Sequence, residues 1–368
     1  MTADGSQEMV QGLLSASTAE LERILAEADA NDIAMREPAA GPAPHRLPAP
    51  GTSEVMILGA LGCRHGMLAG GAGGHLVRTA TTTVLVDPGP AALGCLLGLA
   101  LRGLFSWAEL DAICVTHLDP DHYADAIPCL EGMAAASRQR KHLLVNPTVS
   151  RRCGAFSPYH FGEMADVITL AHPDTDGDGE PTAKVGDITI HATPAFHMEE
   201  KGRNRTAIGL AYETPAAGIW YTSDTNLTPE LPGQVAAIMP GLALVIAHAD
   251  ASNIAQAPGR ARACHLETRD IPAIADKLRP GHILIHHYDA AYSAARYRIA
   301  QAVWLQRVIT GQGLPTQILP SANGQRLTLA SGLLTSEIPV GGDDAGAAAT
   351  AYLDSRLPRA GRPGTESW

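Results

Sequence analysis

Lysine is scarce, confined to Lys141, Lys184, Lys201 and Lys277, and acidic residues outnumber basic ones. Asp plus Glu total 38 against 27 for Lys plus Arg, a formal net charge of −11 over 368 residues. That balance lacks the basic footprint of a general nucleic-acid binder, although a local basic pocket stays open. Long apolar runs are missing too. The longest, Ala91–Leu101, is too short to span a bilayer, so no membrane association is expected. The first ten residues, MTADGSQEMV, have neither the basic start nor the apolar segment of a secretory signal. Six cysteines (Cys63, Cys95, Cys114, Cys129, Cys153 and Cys264) form no CxxC pair. Scattered in apolar surroundings, they read as reduced residues of a cytoplasmic protein and not as a disulfide framework. No repeat of fixed period is present. What remains is a globular profile: 45% apolar, 18% charged and a mean hydropathy of zero, with length for one large domain or two ordinary ones.

Three segments follow from the patterning. Residues 1–51 form an appendage. Ser17-Thr18-Ala19-Glu20-Leu21 reads as a helix start, with Leu21, Ile24, Leu25 and Ala28 on one face. Glu37–Gly51, with five prolines, reads as a linker. Residues 52–332 form the main domain. Its expected strands are Val55–Leu58, His75–Thr79, Thr82–Asp87, Ala112–His117, His142–Asn146, Ile188–Thr193, Ala207–Tyr212, Ile219–Ser223, Leu242–Ala247 and His282–His287. Its expected helices are Ala91–Gly103, Ala124–Arg140, Thr268–Leu278 and Ala290–Thr310. Hairpin-like pairs early and strand–helix alternation later predict an α/β fold of two mixed sheets with helices outside, an αββα layering. Residues 333–368 read as a flexible tail, Gly/Ala-rich from Gly341 on. Gly59–Gly74, rich in glycine, reads as a mobile loop.

The central chemical signal is Thr116-His117-Leu118-Asp119-Pro120-Asp121-His122, which follows the apolar run Ile113–Val115. Two imidazoles and two carboxylates within six residues have little structural use without a cation, because the carboxylates repel and are costly to bury. Further ligand types end other strand runs: His197 after Thr193–Phe196, Asp224 after Trp220–Ser223, and His287 after Ile283–His286. Either His286 or His287 could take the last role, since alternation along a strand sends them to opposite faces.

Taken in this order, these residues resemble the metallo-β-lactamase fold superfamily, which carries an HxHxDH loop, then a His, a bridging Asp and a final His. The entry Gly73-Gly74-His75-Leu76-Val77, followed by Thr83–Gly89, is similar as well, and the Asp of that stretch, Asp87, would support the metal loop from behind. The resemblance covers about residues 54–330 and implies an αββα sandwich with two divalent metal ions. His117, Asp119 and His197 would hold the first ion, Asp121, His122 and His287 the second, and Asp224 would bridge them. It also implies a hydroxide between the ions as the attacking group, since paired cations lower the pKa of water and stabilise an oxyanion. The family's usual ending favours His287 over His286.

One position departs from the pattern. Asp119 stands where the family has a second histidine. A harder, anionic ligand shifts preference toward Fe or Mn, with Zn still open. Flavodiiron proteins, similar in fold, carry Glu there and perform diiron redox chemistry; a first site too weak to fill is a further outcome. Ala263-Cys264-His265-Leu266-Glu267-Thr268 resembles the HLT or HST element of the ribonuclease Z and phosphodiesterase-like branch. This implies that His265 acts as an acid on the leaving group or binds phosphate. Tyr221–Thr225 is similar to that branch's Tyr-Thr-Gly-Asp-Thr. The expected activity is hydrolysis of a small phosphodiester or related anionic ester, with Asp121 orienting the attacking group. The alternatives are lactone or sulfate-ester hydrolysis, diiron oxygen chemistry, or metal binding without turnover. Arg151, Arg152, Lys201, Arg203 and Arg205 are candidate anion contacts. The habit of relatives to pair hints at a homodimer.

Overall fold

In the computed structural model, the described residues are 16–23, 25–26 and 47–337, apart from 69–70, 138–140, 153–155, 162–164, 176, 198–205, 252–264 and 290–291. Six strands come first: β1 (Thr52–Ile57), β2 (His75–Arg78), β3 (Thr83–Val86), β4 (Leu110–Val115), β5 (Lys141–Val145) and β6 (Ala165–Thr169). The chain then crosses to β7 (Thr182–Val185), β8 (Ile188–Pro194), β9 (Ile208–Glu213), β10 (Gly218–Tyr221), β11 (Leu242–Ala251), β12 (Leu266–Glu267), β13 (His282–His286) and β14 (Gln317–Pro320). It finally returns with β15 (Arg326–Ala330) and β16 (Leu333–Glu337). The first sheet has the order β16-β15-β1-β2-β3-β4-β5-β6, and the second runs β14-β13-β11-β10-β9-β8-β7 with β12 beside β11.

Each sheet is half antiparallel and half parallel. In the first, β15, β1, β2 and β3 pair antiparallel, while β3 through β6 run parallel. In the second, β7 to β10 are antiparallel and β10, β11, β13 and β14 parallel. Parallel strands need crossovers, and the helices Ala92–Leu101, Ala126–Ala136, Ile271–Leu278 and Ala295–Gly311 lie in those segments. The αββα sandwich expected from the patterning is the fold observed.

Alternation builds the layers. Val55, Ile57, Val84, Val86, Ala112 and Cys114 point to the core between the sheets, where they meet Ile188, Ile190, Leu210, Ile246 and Leu284. Their neighbours Met56, Leu85, Ile113 and Val115 point the other way, against Leu96, Leu130 and Met133 of the outer helices. On the far side Val245, Ile283 and Ile285 pack on Val235, Ile271, Ile274 and Leu305. A period of two that is apolar in both phases is the signature of strands covered on both faces.

Several expectations need correction. Leu333–Glu337, read as the start of the tail, pairs with β15, so the folded body extends past Gly332. Strands β6, β7, β12, β14 and β15 and the helices Cys63–Leu68, Pro147–Arg152 and Leu231–Ile238 are additional to those expected. The Gly59–Gly74 segment contains a helix instead of being loop throughout. At the N-terminus, Ser17 Oγ accepts the Glu20 amide (3.3 Å) and Glu20 Oε2 accepts the Ser17 amide (3.0 Å), the reciprocal cap its sequence suggests. Leu21 and Leu25 of its apolar face stay exposed, and Ile24, Ala28 and Gly341–Trp368 lie outside the described residues. Among the described residues no helix is long and apolar enough to cross a membrane.

The interior carries a pH liability. His75, fully buried on β2, sits edge-on to Tyr221 with 4.6 Å between ring centroids. Burial pushes its pKa down to about 4, against a smaller opposing pull from Asp87. The unfolded chain therefore binds a proton at His75 that the folded chain refuses, and stability falls as pH drops from about 6.5 toward 4. Between pH 7 and pH 5 this single group should cost about 2 kcal/mol. Urea unfolding of wild type and His75→Phe at both pH values checks this: the variant should lose less stability on acidification by that amount.

Candidate metal centre

The polar residues of interest stand at one edge of the sandwich, where strands from both sheets end. Ligands gather at the carboxyl ends of strands in parallel sheets because adjoining chains diverge there. Asp87 follows β3, His117 lies two residues past β4, and His197 and Asp224 each lie three residues past β8 and β10. His287 follows β13 directly. Cys63, Asp87, Ser223 and His287 all hold positive φ (59°, 46°, 53° and 62°). For non-glycine residues this costs about 1 kcal/mol or more each, and such strain concentrates at functional sites.

The motif after β4 is wound tightly. The sequence places the helix start near Ala124, but Pro120–Tyr123 already forms a helical turn with proline at its first position. Asp121 and His122 therefore project from a helix and not from a loop. Asp119 occupies the residue before that turn, yet its carboxylate does not cap it. Its Oδ2 lies instead 3.1 Å from His197 Nε2.

The residues divide into two groups around Asp224. His117, Asp119, His197 and Asp224 bring one ligand atom each within 4.8 Å of one another. On the other side, His287 Nε2 is 3.1 Å from Asp121 Oδ2 and 3.2 Å from His122 Nε2. Asp224 faces both groups: its Oδ2 is 3.6 Å from His117 Nε2 and 3.4 Å from His122 Nε2, and its Oδ1 is 3.5 Å from His287 Nε2. The structure thus brings together all seven residues expected to hold metal. His265 joins them, with Nδ1 3.6 Å from Asp224 Oδ2 and its ring stacked on His287 at 5.5 Å. His286 points away and meets Ser321 Oγ at 3.2 Å from its Nδ1.

Asp87 organises the centre from behind. Its Oδ1 accepts the Thr116 amide at 2.7 Å, and its Oδ2 accepts Thr116 Oγ1 (2.6 Å), Tyr221 OH (2.7 Å) and His122 Nδ1–H (2.9 Å). Because Thr116 Oγ1 spends its proton on Asp87, it accepts from His117 Nδ1–H at 3.1 Å. Both histidines therefore turn an Nε2 toward the carboxylates. His117 Nε2 is buried and has no hydrogen-bond partner. A lone pair facing carboxylates is repulsive unless a positive charge lies between them, so the donor set fits divalent cations.

The electrostatics agree. Burial opposes a charge on His122, but Asp224, Asp121 and Asp87 outweigh it and push its pKa well above the ordinary histidine value. Burial and the neighbouring His122 push His117 down. Burial works against ionised Asp224, but His287, His265 and His122 hold it well below the usual carboxylate range. The pocket retains negative charge and demands a cation, whether proton or metal.

One participant escaped the sequence reading. His248 on β11 is buried, donates Nδ1–H to Asp224 Oδ1 at 2.8 Å and stacks on His287 at 4.4 Å. Its signal was available: it ends the apolar run Leu242–Ala247 in the way His197 and His287 end theirs. Conversely, the side chains of Arg151 and Arg152, together with Lys201, Arg203 and Arg205, lie outside the described residues.

Residues 82–288 match the family model described as the beta-lactamase superfamily domain. Among solved structures, the chain is similar to the metallo-beta-lactamase fold protein YhfI from Bacillus subtilis, with 17% identity and a TM-score of 0.54 over 78% of this chain and 99% of that one. It is similar to a metallo hydrolase from the hyperthermophilic archaeon Ignicoccus hospitalis, with 14% identity and a TM-score of 0.50 over 76% and 98%. A diphosphatase from the PhnP family matches with 16% identity and a TM-score of 0.50 over 76% and 97%. No curated protein sequence matches significantly.

Gly62 offers a direct test of the geometry. Its amide donates to Tyr288 O at 2.9 Å, and a β-carbon there would overlap the His287 ring. Gly62→Ala should displace His287 and lower metal affinity by about 10-fold or more, as losing a ligand's support does. Metal titration checks it; unchanged affinity would mean that His287 does not hold metal.

Proposed function

From the premise that this chain belongs to the beta-lactamase superfamily, whose members are mostly metal-dependent hydrolases, we propose that it hydrolyses a small anionic ester, a phosphodiester first, at a two-metal centre. One observation carries the reading: His117, Asp119 and His197 face Asp121, His122 and His287 across the single carboxylate of Asp224. Two cations bound there would supply Lewis-acid stabilisation of the anionic transition state and acidify water.

The chain's own residues then divide the work. Asp121 Oδ2 accepts the Cys63 amide at 2.7 Å, which fixes the carboxylate beside His287. In that position it orients the attacking water. His265 is stacked on His287 and edge-on to His197 at 5.4 Å, with its Nδ1 3.6 Å from Asp224 Oδ2. We assign it proton donation to the departing oxygen, a role worth about 10²- to 10⁴-fold in rate for a positioned acid. The ester preference rests on that placement and on the resemblance of the His265 segment to the phosphodiesterase-like branch.

Elemental analysis of protein purified without added metal should find close to two divalent ions per chain. Asp121→Ala should abolish turnover on a panel of phosphodiesters and lactones; full activity would sink its role. His265→Ala should reduce kcat by about 10²-fold or more while metal content stays intact, and lost metal would make His265 a ligand instead.

A second reading is favoured by Asp119. A carboxylate 3.1 Å from His197 makes the first half of the centre harder than an all-imidazole set and better suited to iron. Two irons with an oxygen-sensitive visible spectrum in freshly purified protein would move a diiron redox role ahead of hydrolysis.

A further inference from the structure

His248 is not among the seven expected ligands, although one of its ring nitrogens lies within 4.8 Å of ligand atoms of His122, Asp224 and His287, and it makes the shortest polar contact to the carboxylate shared by both halves of the centre. We propose that His248 is the positioning residue of Asp224: its Nδ1–H holds Oδ1, so that Oδ2 is presented to both halves of the centre. The inference rests on the two-metal reading above.

The hydrogen bond has one possible direction. An ionised carboxylate only accepts, so at 2.8 Å the proton is on His248 Nδ1. The two oxygens of Asp224 thereby become inequivalent. Oδ1 is engaged by His248 with His287 Nε2 at 3.5 Å, while Oδ2 looks at His117 Nε2 (3.6 Å) from one half and His122 Nε2 (3.4 Å) from the other. A carboxylate without that tether turns about its Cβ–Cγ bond and loses the distinction.

The donor is itself fixed. The His248 amide donates to Thr222 Oγ1 at 3.0 Å. Its ring stacks on His287 (4.4 Å, 18°) and meets Tyr221 (4.7 Å, 84°) and His286 (5.1 Å, 61°) edge-on. Residues of β10 and of the β13 end thus set the orientation of a ring carried by β11. Its Nε2 is buried without a hydrogen-bond partner. Burying an unpaired nitrogen costs free energy that a phenyl ring would avoid, so packing alone does not account for an imidazole here.

The test is zinc affinity, read by competition with a chromophoric chelator on the stripped full-length chain, for wild type, His248→Asn, His248→Gln and His248→Leu. Asparagine sets an amide N–H where Nδ1–H stands; glutamine sets its amide further out; leucine has no donor. Wild type should hold two zinc ions. His248→Leu and His248→Gln should bind about 10- to 100-fold more weakly, the usual loss for a partner behind a ligand, and His248→Asn should return to within about threefold. Thermal unfolding of the stripped proteins identifies a variant that has not folded, and the glutamine and asparagine pair then decides the matter. Wild-type affinity in the leucine or glutamine variant overturns the role of His248 alone, as does an asparagine variant as weak as both. A wild-type chain that fails to hold a pair of zinc ions overturns the two-metal reading and this inference with it.

Discussion

One buried carboxylate carries the arrangement. Asp224 lies within 3.6 Å of ring nitrogens from His117, His122, His248, His265 and His287. These imidazoles come from both sheets, so the carboxylate fixes where the two halves of the sandwich meet at this edge. Three further aspartates, Asp87, Asp119 and Asp121, surround it. Negative charge buried at that density is tolerable only with compensating positive charge, because the interior screens poorly and desolvation is costly. The same constraint that makes the edge expensive for a structural protein makes it selective for cations.

The fold meets that constraint by layering. Between the sheets the core is aliphatic, with Val84, Val86, Ile188 and Leu210 among its members. The ligand side chains gather where strands end, and Asp87 holds His122 directly and His117 through Thr116. The same carboxylate reaches from the first sheet to Tyr221 of the second. Positive φ at Asp87, Ser223 and His287 turns those side chains inward at once after their strands. The parallel half of each sheet gathers the helical crossovers and, at the ends of its strands, most of the ligand residues, while His197 follows the antiparallel strand β8.

Much of this was legible in the sequence for physical reasons. Strands apolar in both phases, such as Ile113–Val115 and Ile283–Ile285, announce burial on both faces. The density of His and Asp after Val115 announces a cation, since no packing argument explains it. The strands that escaped were of another kind. The β16 segment, LLTSE, is largely exposed, and β7, TAKV, is four residues long, so neither carries enough apolar contrast to be read locally. The turn Pro120–Tyr123 escaped because four residues give no helical periodicity. His248 escaped because a lone histidine after an apolar run is ambiguous without its neighbour in space.

By itself, then, the chain order of His117, Asp119, Asp121, His122, His197, Asp224 and His287 determined that the ligand types exist and that they follow strands. Composition and alternation likewise determined two covered sheets. Only the tertiary structure decided which nitrogen of each ring faces the centre, because that depends on partners such as Asp87 and Thr116 that are distant in sequence or shared between residues. Only the tertiary structure brought in His248, seated His286 against Ser321, and placed Asp119 beside His197. Those choices are made by contacts across sheets, and no local pattern encodes a distance between strands that are more than a hundred residues apart along the chain.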